Sequence, residues 1–219
     1  MPVPKEVVEA AYQRHARNYD LAVKLYQLIG LRIEQYRARA IEHLHLLPGD
    51  CALDLGCGTG LSFPLLMERI GPEGQLIGVD LSTEMLAIAR KRVEAAGWNN
   101  VQLVEADIAA YDFPANVRGV LSSGVFGYLK DAEQVFEKMQ HALSPGGRLV
   151  IVDGKRPERW PRWLFKLFVR ASSPFGLTED YFDARTWELV QRFFHNAAME
   201  EVYGGLLFIA SGTAPSRPG

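Results

Sequence analysis

The run Asp54-Leu55-Gly56-Cys57-Gly58-Thr59-Gly60 constrains this chain more than any other. Apolar Cys51-Ala52-Leu53 leads into it, and Leu61-Ser62-Phe63-Pro64-Leu65-Leu66 follows it. Pro64 suits the first turn of a helix, where its missing N–H removes no hydrogen bond. The stretch therefore predicts a strand over 51–55, a tight glycine turn and a helix over 61–70. Glycines let a ligand approach the backbone closely because no Cβ intervenes. A helix N-terminus adds partial positive charge. An anionic or carboxylate-bearing ligand is expected at this turn.

Spacing narrows the ligand. The dinucleotide fingerprint requires GxGxxG, and here its last position is Leu61, whereas GxGxG is satisfied by Gly56, Gly58 and Gly60. The next predicted strand, 75–80, ends in Asp80, the place where nucleotide-binding α/β folds hold ribose hydroxyls. A third, 100–106, closes on Asp107-Ile108. Three successive strand ends thus carry an acid.

Around this centre strands and helices alternate. Residues up to Leu47 recur as apolar positions at helical intervals, with Gly30 as a break. Leu47-Pro48-Gly49-Asp50 reads as a turn. Ser82 is a candidate N-cap for a helix that Gly97 ends. A strand over 117–122 follows, then a helix capped by Asp131 carrying Val135, Phe136 and Met139. Ser144-Pro145-Gly146-Gly147 is expected to turn into a strand over 148–152. Residues 177–185 read as a loop, Trp187 to Phe193 as a helix, and 199–203 with 206–210 as a hairpin about Gly204-Gly205. Such alternation predicts a parallel sheet with helices on both faces. Ligands of these sheets bind at the carboxyl ends of the strands, where Asp54, Asp80, Asp107 and Ser123 fall.

The 219 residues are 48% hydrophobic, which suits one domain over 1–212 with a Pro- and Ser-rich tail, 213–219, expected to be disordered. A net charge of −2 provides no field to recruit nucleic acid. No apolar run spans a bilayer and the first residues lack signal-peptide character, so a cytoplasmic location is expected. The two cysteines, Cys51 and Cys57, flank one strand and are too far apart for a disulfide; two such residues make no metal site. Cys57 reads as a small side chain fitted into a crowded turn.

DLGCGTG, the acid of GVDLS, the EADI stretch and LSPGGRL together resemble the class I S-adenosylmethionine (SAM)-dependent methyltransferases. The likeness is to their small-molecule branch, the ubiquinone/menaquinone-biosynthesis and phospholipid N-methyltransferases, and runs from Tyr12 to Leu149. It implies an α/β, Rossmann-like, seven-stranded and mostly parallel sheet with helices on both faces and a C-terminal antiparallel β-hairpin. It also implies an N-terminal helical lid over 1–47, a cover segment over 154–185, SAM as cofactor and S-adenosylhomocysteine as product. Asp54, Gly56, Cys57, Gly58, Thr59 and Gly60 are then expected at the methionine part of SAM and Asp80 at its ribose. Leu81, Met85, Asp107 and Ile108 are expected about the adenine, and Ser123 and Gly124 on the sulfonium side.

Tyr19, of the lid's Tyr19-Asp20 pair, is expected to line the cofactor; Tyr12, His15 and Arg17 are further candidates. Tyr19 and Tyr128 are candidates to orient the nucleophile, with no metal involved. Methyl transfer from a sulfonium is a direct displacement governed by positioning and exclusion of water, so a missing catalytic triad is no objection. The expected acceptor is a small molecule or lipid. Glu179, Asp180, Tyr181 and Asp183 form an acidic, aromatic cluster suited to a cationic amine. Residues 156–170 are basic and aromatic, the composition of a helix that touches a membrane surface. The rival readings are an NAD-dependent oxidoreductase and a SAM-binding protein without transferase activity.

Overall fold

The computed structural model describes residues 33–172 and 177–216. Its centre is a seven-stranded sheet: β1 (Cys51–Leu55), β2 (Gln75–Asp80), β3 (Val101–Glu105), β4 (Val117–Ser123), β5 (Leu143–Gly154), β6 (His195–Val202) and β7 (Leu207–Thr213). The order across the sheet is β3-β2-β1-β4-β5-β7-β6. The first five strands run parallel, whereas β7 pairs antiparallel with both β5 and β6. Strand order reverses between β1 and β4, which opens a crevice at their carboxyl ends.

The described helices are α1 (Ile33–Glu42), α2 (Phe63–Ile70), α3 (Thr83–Ala96), α4 (Ala132–Ala142), α5 (Arg162–Ser172), α6 (Glu179–Phe182) and α7 (Thr186–Phe193). Alternation along the strands sorts the core into two layers. Leu53, Leu55, Ile77, Val79, Val120, Leu149, Ile151 and Phe208 face α4 and α7, meeting Phe136, Met139 and Val190. Ala52, Leu76, Leu121, Val150 and Ile209 point the other way, onto Ile41 of α1, Phe63 and Leu66 of α2 and Leu86 of α3.

Local signals act as expected at most boundaries. Ser82 accepts a hydrogen bond from the Met85 N–H and so caps α3, which ends at Gly97 in the left-handed region. Pro64 lies in the first turn of α2, which begins at Phe63, two residues later than expected. Asp131 precedes α4 but makes no side-chain cap. Strand β5 begins at Leu143, well before the expected 148. Val117 pairs with Leu143 and Gly119 with Arg148, so residues 144–147 bulge out of the pairing instead of turning ahead of the strand. The hairpin is longer than its sequence pattern, with its tip at Tyr203–Gly205. Thr213 belongs to β7 and Ala214 is buried, so the expected tail does not begin at 213. Of the lid expected over 1–47, only 33–47 fall among the described residues; α1 packs against the sheet there.

Candidate functional site

Strand β1 delivers the chain to the crevice and the glycine turn bends it away. Gly56, Gly58 and Gly60 have φ of +71°, +54° and +75°, angles that residues with a Cβ rarely adopt. Their surroundings differ. A Cβ on Gly56 would collide with Val125, just beyond the end of β4, and one on Gly60 would stand 2.7 Å from the Phe63 ring. A Cβ on Gly58 or Gly124 would meet nothing within 4 Å. The turn is therefore closed against β4 and α2 at its two ends and open in the middle.

Its backbone donors are already engaged. The N–H groups of Gly56 and Cys57 donate to the Val79 carbonyl at 2.8 and 3.0 Å, and that of Gly60 donates to Cys57 at 2.9 Å. The Gly58 N–H donates to Asp80 Oδ2 at 2.7 Å, while Ser82 N–H donates to Oδ1 at 2.9 Å. These N–H groups thus hold the turn in place, those of Gly56, Cys57 and Gly58 by pinning it to β2. Asp80 is the pin, and a carboxylate has about four acceptor positions, so it retains capacity for further donors. Burial pushes its carboxyl up, and the Ser82, Gly58 and Leu81 N–H groups pull it back.

Asp54 is 2% exposed and its Oδ2 has no hydrogen-bond partner among the described residues. Burial raises the carboxyl to about 7, opposed by Arg37 of α1 and reinforced by Asp80. A buried acid with an orphaned oxygen beside an open glycine suits the cationic amino end of an amino acid. Cys57 is also buried, and burial together with Asp54 and Asp80 pushes its thiol well up. Its sulfur would stand 3.0 Å from a Cβ placed on Gly78, so the packing reading of Cys57 fits. Thr59 is buried, and its carbonyl accepts from Arg92 Nε at 3.0 Å.

The remaining positions divide. Leu81 is half-buried where β2 ends; Met85 is buried in the first turn of α3. Asp107 lies one strand over, with its Oδ1 accepting from Ala109 N–H at 3.1 Å. Ile108 packs into the core beneath, against the layer containing Val79. Ser123 is exposed, and Gly124 donates to the Val152 carbonyl at 2.8 Å. Its neighbour Ser122 is fully buried and bonds the Leu55 carbonyl at 2.9 Å, tying β4 to β1. Tyr12, His15, Arg17 and Tyr19 lie outside the described residues.

On the far side of the crevice stands an assembly absent from the sequence reading. Asp153, 2% exposed at the end of β5, accepts from Gly127 N–H and Gly154 N–H, each at 3.0 Å, and from the Tyr181 hydroxyl. Burial raises its carboxyl to about 6 against those bonds. The Tyr181 ring packs on Tyr128 with centroids 4.7 Å apart. The signal was available: an apolar strand running into an acid, as at Asp80. The acidic cluster, by contrast, has an internal partner. Arg156 forks onto Asp183 at 2.7 and 2.8 Å and reaches Glu179 at 3.0 Å, while Tyr181 is turned to Asp153. Arg156 thus compensates part of the cluster's charge from within the chain, one cation against Glu179, Asp180 and Asp183.

Residues 52–147 match the family model described as a methyltransferase domain. The chain is 30% identical over 178 residues to a demethylmenaquinone methyltransferase of Listeria welshimeri, covering 78% of this chain and 73% of that one. It is 29% identical over 194 residues to a 2-phytyl-1,4-naphtoquinone methyltransferase of Thermosynechococcus vestitus, covering 85% and 83%. Among solved structures, a phosphoethanolamine N-methyltransferase 2 of Haemonchus contortus bound to phosphomonomethylethanolamine and S-adenosylhomocysteine shares the fold. Its TM-score is 0.71 at 19% identity, over 95% of this chain and 60% of that one. Glycine turn, the acid ending β2, strand order and these relatives converge: the chain belongs to the class I SAM-dependent methyltransferases, in the group that contains the demethylmenaquinone methyltransferases.

Proposed function

We propose that this methyltransferase acts on a lipid-tailed, naphthoquinone-type acceptor in its reduced, hydroquinone form. SAM supplies a methyl group already activated on a sulfonium. Its acceptor must therefore be electron-rich, which a hydroquinone ring is and a quinone ring is not. A ring carbon gains the bond to methyl as the carbon–sulfur bond breaks, its electron pair stays on sulfur, and the ring carbon releases a proton.

The protein's part is placement. Asp80 accepts from the ribose hydroxyls, Asp54 holds the amino end of the methionine moiety, and the open middle of the turn at Gly58 admits it. Leu81, Met85 and Asp107 border the adenine, with Ile108 supporting them from the core. Ser123 and Gly124 face the sulfonium side, and Tyr128, held by Tyr181, orients the acceptor ring. Tyr19 is kept in this proposal as a second orienting tyrosine from the N-terminal segment.

The observation that carries the acceptor class is the Arg156 fork. Arg156 draws Glu179 and Asp183 into an internal ion-paired cluster, which leaves them less open to a cationic amine, and the half-buried Tyr128 ring, tilted against the buried Tyr181 ring, offers an aromatic surface that favours a ring-bearing acceptor. The names of the two relatives point the same way. The test is transfer of labelled methyl from SAM to reduced demethylmenaquinol, run beside phosphoethanolamine and simple amines. Label in the quinol alone is expected. Label in the amines alone overturns the acceptor, and tight S-adenosylhomocysteine binding with no transfer to any of them favours a binding protein. A tailed acceptor also requires contact with a bilayer, for which residues 156–170 are the proposed surface.

A further inference from the structure

Helix α5 buries only part of its circumference. At about 100° per residue, Phe165, Phe168, Val169 and Ser172 fall on one arc, and there Phe165 packs on Phe182 with centroids 5.4 Å apart. The opposite arc carries two adjacent stripes at i, i+4 spacing. One is Trp163 and Leu167, which are 68% and 58% exposed. The other is Arg162, Lys166 and Arg170, all exposed, with exposed Arg159 just before the helix. A single exposed leucine is ordinary on any protein. An indole and a leucine one turn apart, bordered along their length by cations, form a continuous amphipathic surface. Among the described residues no helix is long and apolar enough to cross a membrane, so a bilayer contact here is confined to the surface.

We propose that this face of α5 docks the enzyme on an anionic phospholipid bilayer, with Trp163 and Leu167 entering the headgroup boundary and the cationic stripe meeting acidic headgroups. Charge complementarity selects this occupant, because aromatic and aliphatic side chains beside Lys and Arg are the composition that lies in an interface. Position supports it. Phe165 and Phe168 of α5 rest on Phe182, Phe182 adjoins Tyr181, and Tyr181 touches Tyr128, in the turn that follows β4, and Asp153 near the end of β5. The docking face therefore lies behind the acceptor wall. The proposal extends the lipid-acceptor reading by naming the surface through which such an acceptor arrives, and its test needs no turnover.

Full-length protein is sedimented with vesicles of phosphatidylcholine alone and of phosphatidylcholine with 30 mol%, roughly, of phosphatidylglycerol, an anionic content chosen to engage basic residues. Binding to the anionic vesicles only is expected. The double variants Trp163→Ala/Leu167→Ala and Arg162→Glu/Lys166→Glu should each weaken it by about tenfold or more, and salt should weaken it further. Both pairs are exposed, so thermal melting and S-adenosylhomocysteine affinity should match the parent. Absence of pelleting by the parent, equal pelleting by the variants, or indifference to the anionic lipid overturns the proposal. So does a dimer, seen by size exclusion, that Trp163→Ala/Leu167→Ala dissociates while vesicle binding stays unchanged. Loss of S-adenosylhomocysteine binding by the parent would instead count against the cofactor assignment and leave the vesicle result standing.

Discussion

The two walls of the crevice are built by different means. On the cofactor side the backbone does the work: positive φ at three glycines, N–H groups of Gly56 and Cys57 returned to Val79, and those of Gly58 and Ser82 fixed on Asp80. On the opposite side, proposed to receive the acceptor, the determinants are side chains meeting side chains, Tyr181 on Asp153, Tyr128 on Tyr181 and Arg156 on Asp183. A wall made by backbone geometry admits few residue types at each position. One made by packing admits many, which suits a surface that must change with the acceptor while the cofactor stays the same.

The sharpest way to break this contrast is Gly56→Val. It puts a branched side chain at φ +71° and drives it into Val125. We expect destabilisation of about 3 kcal/mol in urea unfolding and loss of S-adenosylhomocysteine binding by roughly 100-fold or more. On the opposite wall Tyr181→Phe removes one hydrogen bond to a buried carboxylate. It should destabilise by about 1.5–3 kcal/mol and lower turnover, yet leave S-adenosylhomocysteine affinity within about twofold of the parent. Equal loss of affinity in both variants would erase the distinction.

Titration sharpens it further. Asp54 and Asp153 have folded-state pKa values raised to about 7 and about 6, above the ordinary 3.8. The folded protein therefore binds these protons more tightly than the unfolded chain. Each acid adds stability that is full below the ordinary value and is lost as pH rises towards its folded one. Binding a cationic amino group at Asp54 requires the carboxylate, so cofactor affinity should fall by up to about tenfold, or 1.4 kcal/mol, per pH unit below 7. Calorimetry of S-adenosylhomocysteine from pH 8 to 5 measures this, and Asp54→Asn should flatten the profile while Asp153→Asn should not. The smallest effect expected is Ser82→Ala. It removes the cap of α3 at about 1 kcal/mol and leaves Asp80 its bond from the Ser82 backbone N–H.

The same contrast explains what the sequence disclosed. The bounds of β1 and β2, the cap at Ser82 and the stop at Gly97 follow from residue types whose backbone preferences act locally. The start of β5 was hidden because Ser-Pro-Gly-Gly has turn chemistry, and only pairing with β4 absorbs it as a bulge. Asp153 escaped notice because the strand was ended two residues early, at 152 instead of Gly154. The partner of the acidic cluster around Asp183 was hidden because a sequence displays charges without displaying what they pair with, and Arg156 lies 27 residues away. Arg37, which acts on Asp54 from α1, lies in the expected lid but was not singled out there, since helical spacing alone does not show which strand end a basic residue faces.

Everything on the cofactor side converges on Asp80, which pins the glycine turn and is the residue proposed to accept from the ribose. Its direct test is calorimetric titration of S-adenosylhomocysteine into Asp80→Ala and Asp80→Asn, with thermal melting to establish that both are folded. Charge-assisted hydrogen bonds to two hydroxyls contribute about 1.5–3 kcal/mol each, so folded Asp80→Ala should bind roughly 100-fold more weakly or worse, with Asp80→Asn in between. Affinity within about twofold of the parent in folded Asp80→Ala would contradict the account.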